Sequence, residues 1–295
     1  MNTITANGAM AQPEANLISS SLRTRVLSAL VLLPVVLGLL YVGGLGFALL
    51  LALVAVLMAG EWDRLTEGAI SGPKHFGNFG TLGLTSALVL LAALTLGYYG
   101  EAGWALLLLL PGALLVAILS RFNGRAAIWP VLGLFWLGLP CLALLWLRMG
   151  DDGMLAVSWL FVAVWCCDTG AYFAGRRIGG PKLAPRISPK KTWSGLLGGM
   201  ALAALASVLL ALAMGLKDVA VLAFLGALLA LISQGGDLAE SAVKRHFKVK
   251  DSGALIPGHG GILDRVDGVL FAAPTLAIVT MVSALVPALD VLPWR

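Results

Sequence analysis

The feature that most constrains this chain is its succession of long apolar runs, at residues 26–42, 46–60, 81–99, 103–119, 131–147, 155–174, 195–214, 218–234 and 269–291. A helical run of nearly twenty apolar residues matches the hydrocarbon core of a bilayer. Lipid also admits only helices or closed barrels, because backbone polar groups must be satisfied within the protein. The sequence therefore predicts an all-α, polytopic membrane bundle of about nine helices. A tight hairpin at Gly43, Gly44 and Gly46, where the first two runs merge, changes that count by one. Only 12% of residues are charged and mean hydropathy is +0.94. That is about half the charged share of a soluble domain, which excludes a soluble fold, a coiled coil and a disordered chain.

The loops orient the bundle. With a cytoplasmic N-terminus, seventeen of the twenty lysines and arginines fall in cytoplasmic segments and only Arg148, Lys217 and Arg295 fall outside. Positive residues collect on the inner side, so topology accounts for the net charge of +5 and no nucleic-acid partner is needed. The C-terminus is then outside. Residues 1–22 read as a polar, disordered tail with no basic n-region and no cleavage site. Cys141, Cys166 and Cys167 lie in apolar runs without a CxxC pair and read as small buried hydrophobes. No internal duplication of the kind found in inverted-repeat carriers is visible.

Polarity is concentrated in two places. Eleven of the basic residues lie in the loops 175–194 and 235–268, which would serve orientation alone were it not for their acidic company. Asp168 sits inside an apolar run, Asp237 closes another, and Asp251, Asp264 and Asp267 follow. A carboxylate at membrane depth costs on the order of 2–3 kcal/mol and marks a functional site by default. Carboxylates with lysines and arginines suggest a divalent metal bridging phosphate oxygens while cations neutralise the rest. In Pro257-Gly258-His259-Gly260-Gly261 the glycines either admit backbone N–H groups to a phosphate or form a tight turn before a helix. His75 and His246 read as solvated or interfacial; His259 alone among the histidines sits in a candidate site. Trp104, Trp129, Trp146 and Trp193 read as interfacial anchors.

Common motifs fail. Gly175 and Gly180 have Walker-like spacing but are followed by Pro181 and Lys182, so they form no P-loop. GxGxxG, HExxH, GxSxG and the run of the CDP-alcohol phosphotransferases are absent. What is present is SxxKRxxxxKDxGxxxPxHGGxxDRxD, matched throughout from Ser241 to Asp267. This stretch resembles the signature of the phosphatidate cytidylyltransferases, also called CDP-diacylglycerol synthases. Two further segments resemble the same family: Asp168 to Arg176, and Ser188-Pro-Lys190-Lys191-Thr192-Trp-Ser-Gly195. The second commonly reads SPKKTWEG; here Ser194 replaces the acid and is given no catalytic duty. The resemblance covers about residues 155–270, and the earlier spans carry no comparable motif.

The resemblance implies transfer of CMP from CTP to phosphatidate, giving CDP-diacylglycerol and pyrophosphate, with Mg²⁺, at the cytoplasmic face of the inner membrane. It divides the chain into the tail, N-terminal transmembrane helices over 23–150, and a catalytic region over 151–295 that contains the two loops. Asp237, which closes an apolar run, and Asp264, in the DRxD element, are then the first choice for metal ligands. Asp267 is then a second ligand or a partner of Arg265, and Asp168 holds a second cation or pairs with a basic residue. Lys190, Lys191, Lys244, Arg245, Lys250 and Arg265 would bind phosphates. Asp251 and His259 complete the residues placed at the reaction, and Ser188, Thr192, Ser241, Gly260 and Gly261 line the substrate. Glu240 and Lys244 are spaced to staple their own helix. Other lipid phosphates are an alternative substrate class; an anion transporter is the remaining one, disfavoured because charge sits at one interface. The face of Gly195, Gly198 and Gly199 permits close packing within the chain or in a homodimer.

Overall fold

The computed structural model describes residues 28, 30–67, 80–253, 255 and 260–285; the polar tail, His75 and His259 lie outside the described residues. Among these residues the chain forms α1 (Leu30–Val42), α2 (Gly44–Glu67), α3 (Thr81–Tyr98), α4 (Ala102–Phe122), α5 (Ile128–Met149) and α6 (Gly153–Arg177). A hairpin of β1 (Lys182–Ala184) and β2 (Ser188–Thr192) follows, then α7 (Trp193–Met214), α8 (Val219–His246) and α9 (Leu263–Leu285). Eight helices are long and apolar enough to cross a membrane; the described part of α1 is shorter. The chain is a multi-pass membrane protein. Its exposed side chains include Leu88, Leu114, Leu197, Leu209, Phe224 and Ile278, a surface that hydrocarbon solvates and water would not.

Gly43 and Gly44 adopt positive φ, 64° and 49°, which breaks the helix between α1 and α2 where the sequence merges its first two runs. Contacts at the helix ends establish the alternation. Arg148, at the end of α5, donates to the carbonyls of Leu40 and Tyr41 at the end of α1. Trp129, at the start of α5, stacks at 4.7 Å on His246 at the end of α8. One end of the bundle thus gathers the ends of α2, α4, α6 and α8 and the starts of α3, α5, α7 and α9. Every described lysine and arginine except Arg148 and Lys217 lies at that end.

Two boundaries differ from the sequence expectation. The apolar run ending at 234 continues as helix to His246, so Asp237 lies within α8 and does not cap it. Gly235 and Gly236 do not break the helix. A Cβ at Gly236 would meet the Asp267 carbonyl oxygen at 2.7 Å and the Phe271 ring at 2.9 Å, so this glycine lets α9 approach. The last run likewise begins at Leu263, which places Asp264 and Asp267 in the first turns of α9. The second basic loop contracts to residues 247–262.

The glycine face of α7 is used inside the chain. A Cβ at Gly170 of α6 would lie 2.6 Å from the Gly198 carbonyl oxygen, and one at Gly199 would lie 2.7 Å from that of Cys167. Backbones this close exclude side chains and give α6 and α7 a tight small-residue contact. Cys141 and Cys167 are buried; Cys166 is only half-buried, and none is paired. Trp104, Trp146 and Trp193 are exposed. Trp129 is not an interfacial anchor. Its ring packs on His246 and Phe247 and its carbonyl accepts from Trp62, so it fixes the end of α8.

Candidate active site

The basic end of the bundle holds two clusters of ammonium and carboxylate. In the first, Lys244 is not merely a staple within α8. Its Nζ lies 3.0 Å from Glu240 and 2.7 Å from Asp264 Oδ1, joining α8 to α9. Asp264 is held mainly by its other oxygen: Oδ2 accepts from Ser252 N–H at 3.0 Å, Ser252 Oγ at 2.9 Å and Gly261 N–H at 3.0 Å. Oδ1 faces the lysine, with a longer contact of 3.3 Å to Ser252 N–H.

The second cluster repeats this arrangement. Asp237 Oδ1 accepts from Ser241 Oγ at 3.3 Å. Its Oδ2 faces Lys191 Nζ at 2.6 Å in an ion pair, and among the described residues the ammonium makes no hydrogen bond. Lys191 arrives on β2, whose pairing with β1 opposes Lys182 to Thr192 and Ala184 to Ser188. Lys190, next along the strand, is exposed. Asp168 of α6 accepts from Gln234 Nε2 at 3.2 Å and lies within electrostatic reach of both Asp237 and Lys191. Asp267 of α9 lies within reach of Asp237 and Asp168, with Oδ1 accepting from the N–H of Gly268 at 2.8 Å. Four elements therefore converge: the end of α6, the hairpin, α8 and the start of α9.

Other predicted residues have structural occupations. Thr192 is buried and caps α7, its Oγ1 accepting from Gly195 N–H at 3.1 Å, as an N-cap threonine does. Ser194 donates to the Gly179 carbonyl. Arg245 spends its guanidinium on the Val249 carbonyl at 2.9 Å and, at 3.4 Å, on that of Ile187 in the hairpin. Gly261 N–H is already given to Asp264; Gly260 has a φ of 87°, which only glycine adopts cheaply. Lys250, Asp251 and Arg265 are exposed.

Sequence reasoning missed three contributors: Gln234, Ser252 and Glu61. Glu61 lies in α2, fully buried, and accepts the N–H groups of Ile262 and Leu263 at 2.9 Å each. Its signal was present, since a carboxylate at the end of an apolar run is costly without a partner. The partner is some two hundred residues away, and nothing local names it.

A divalent cation can be tested against these groups. Among the described residues no three Asp, Glu, His or Cys side chains converge closely enough to hold an ion alone. Mg²⁺ does not require that; it commonly takes one or two carboxylates and completes its shell with water and substrate phosphates. Asp237 and Asp264 each have one oxygen anchored by neutral donors and the other facing an ammonium. A positive charge is therefore already accommodated at each, and the donor set fits a hard cation.

Comparison with known proteins bears on the same region. The family model described as the cytidylyltransferase family matches residues 23–283. A protein of Brucella suis biovar 1 (strain 1330) named phosphatidate cytidylyltransferase is 43% identical over 265 residues, covering 87% of this chain and 92% of its own. A protein of the same name from Staphylococcus epidermidis (strain ATCC 35984) is 34% identical over 274 residues, covering 87% and 98%. One from Rickettsia prowazekii (strain Madrid E) is 41% identical over 151 residues, 49% of this chain and 66% of its own. The match extends through the N-terminal helices that carry no motif, and the chain belongs to the cytidylyltransferase family of enzymes.

Proposed function

We propose that this enzyme transfers CMP from CTP to phosphatidate, yielding CDP-diacylglycerol and pyrophosphate, at the cytoplasmic face of the inner membrane. The observation that carries the reading is the pair of ammonium–carboxylate contacts, Lys191–Asp237 and Lys244–Asp264, at the basic end of a membrane bundle. A water-borne triphosphate and a lipid-borne phosphate meet only at such an interface. The positive-inside bias supports the cytoplasmic side, and the names of the relatives support phosphatidate.

A phosphatidate oxygen attacks the α-phosphorus of CTP. A new P–O bond forms, the bond to the β-phosphate bridging oxygen breaks, and the electron pair leaves with pyrophosphate. No protein nucleophile is required. Lys191 on the hairpin and Lys244 on α8 bring ammonium groups to Asp237 and Asp264, and Lys190 adds an exposed one beside Lys191. Lys250 and Arg265 add exposed positive charge. Their task is to position two anions that repel each other and to stabilise charge on the leaving group. We assign Asp237 and Asp264 to Mg²⁺, with Asp168 and Asp267 available to a second cation. When bound, the metal supplies Lewis-acid stabilisation of phosphate oxygens.

The test is a CTP-dependence assay on detergent-purified protein with phosphatidate and Mg²⁺, following pyrophosphate and lipid product beside Asp264→Asn. Product from the wild type, with the folded variant near background, is expected. A wild type that makes no CDP-lipid from phosphatidate across lipid and ion conditions overturns the substrate assignment.

A further inference from the structure

We propose that Glu61 is a positioning residue for this reaction: a carboxylate from the N-terminal half that sets the first turn of α9 and, through it, Asp264. A helix start leaves several N–H groups without partners, and a side-chain oxygen that accepts them fixes the entry of the chain. Here the acceptor is not local. Glu61 Oε1 takes the N–H of Ile262 and Oε2 that of Leu263. The next residue is Asp264, so the two donors immediately before it are pinned.

Three observations extend this beyond ordinary capping. Ser252 Oγ lies between the two acids, donating to Asp264 at 2.9 Å and standing 3.5 Å from Glu61 Oε2, so the carboxylates share one shell. A Cβ at Gly253 would come within 2.8 Å of Glu61 Oε1, and one at Gly261 within 2.7 Å of Oε2. Glycine at these two positions of the signature is thus what lets the loop wrap a side chain from α2. Finally, Glu61 is 0% exposed and Gly261 N–H is taken by Asp264. The N–H groups of residues 261–263 are consequently satisfied by protein carboxylates, which leaves phosphate recognition to the lysines and arginines facing them. The motif-free N-terminal half contributes directly to the geometry of the site.

The turnover arm rests on the CTP and phosphatidate reading; a second arm does not. For Glu61→Gln, which keeps the shape and replaces one acceptor oxygen by a donor, kcat is expected to fall at least thirtyfold with KM for CTP within threefold. Amide hydrogen exchange at Ile262 and Leu263 is expected to accelerate at least tenfold, while exchange in α3 and α4 is unchanged. Ser252→Ala should lower kcat, and its effect should be non-additive with Glu61→Gln because both act on Asp264. Should Glu61→Gln not fold, Ser252→Ala and Glu61→Asp carry the same two readouts, and wild-type kcat and exchange in both overturn the proposal. A folded Glu61→Gln with kcat within threefold, with unchanged local exchange, or with effects simply additive to Ser252→Ala overturns it as well. A wild type that makes no product removes the substrate reading, and the exchange arm still decides the role of Glu61.

Discussion

Two carboxylate–cation pairs sit at the same end of this bundle and differ in almost every other respect. Asp63 of α2 pairs with Arg125 in the α4–α5 connection, and the same guanidinium donates to the Asp63 carbonyl and, at 2.8 Å, to Thr66 Oγ1. The aspartate side chain is 5% exposed, and it sits against Gly80 and Gly83, where an added Cβ would overlap it. This network is closed. Asp237 and Lys191 are 31% and 16% exposed, come from a helix and a hairpin, and among the described residues the ammonium makes no hydrogen bond. A closed network holds elements together; an open one keeps valences for something else. Proximity of opposite charges alone does not separate the two, and neither does exposure of the cation, since Arg125 at 19% is as accessible as Lys191; the difference lies in the carboxylate, 5% against 31% exposed, and in how many hydrogen bonds each cation makes.

The comparison breaks most sharply at Asp237. Asp237→Asn keeps the volume and the contact with Ser241 but removes the charge, so turnover with CTP and phosphatidate should fall on the order of 10³-fold, the scale for losing one preorganised electrostatic contact. Thermal unfolding in detergent should move little, because partly exposed ion pairs contribute little to stability. A large stability loss with retained turnover would make this pair structural, like Asp63–Arg125.

Arg125→Met should do the reverse. It leaves Asp63 charged and buried without its partner, an error that costs roughly 3 kcal/mol. The unfolding midpoint should drop clearly, while kcat per folded molecule stays within threefold of wild type. If turnover collapses in folded protein, the division between closed and open networks is wrong.

How much of this was legible beforehand follows from the range of each signal. The spans are long-range in lipid but local in sequence, so apolar runs and loop charge predicted the bundle and the side on which its basic groups gather. The motif segments likewise named Lys191, Lys244 and Asp264, while Asp237 was marked by closing an apolar run, and the structure brings the four into two adjoining clusters. Glu61 was illegible because its meaning depends on which helix ends meet, and no periodicity encodes that the end of α2 faces the start of α9. The end of α8 was read too early for a related reason, because the apolar run stops at 234, just before Gly235 and Gly236. Glycine pairs commonly break helices in water, but here one of them marks the close approach of α9. Thr192 was read as lining the substrate, whereas its hydroxyl is spent on the α7 cap; a threonine three residues before a glycine in a new helix carries both readings in sequence.

The α6–α7 contact offers a finer test, because it supports the open pair from below. α6 carries Asp168, and α7 follows directly from the strand that carries Lys191. Gly198 packs against Ala174 and the Gly170 carbonyl with no room for a Cβ. Gly198→Val should wedge the helices apart at a cost of roughly 2 kcal/mol, the usual scale of overpacking. Unlike Arg125→Met, it should also raise KM for CTP severalfold, since the hairpin moves with α7. A stability loss without any kinetic change would uncouple the hairpin from that packing.

The smallest effect is expected at Thr192, one residue beyond Lys191. Its Oγ1 accepts from Gly195 N–H at 3.1 Å and also lies 3.1 Å from Ser194 Oγ. Thr192→Ala removes the cap and should destabilise α7 by about 1 kcal/mol, whereas Thr192→Ser, which keeps the acceptor, should restore most of it. If Thr192 acts only as a cap, Thr192→Ala should change KM for CTP less than twofold, and Thr192→Ser should keep wild-type kinetics with most of the stability. A threonine that instead touches a phosphate would give a kinetic defect larger than its stability loss. Such a result would return Thr192 to the open side of the comparison, where the sequence had placed it, and would require its hydroxyl to exchange Gly195 for the nucleotide during the cycle.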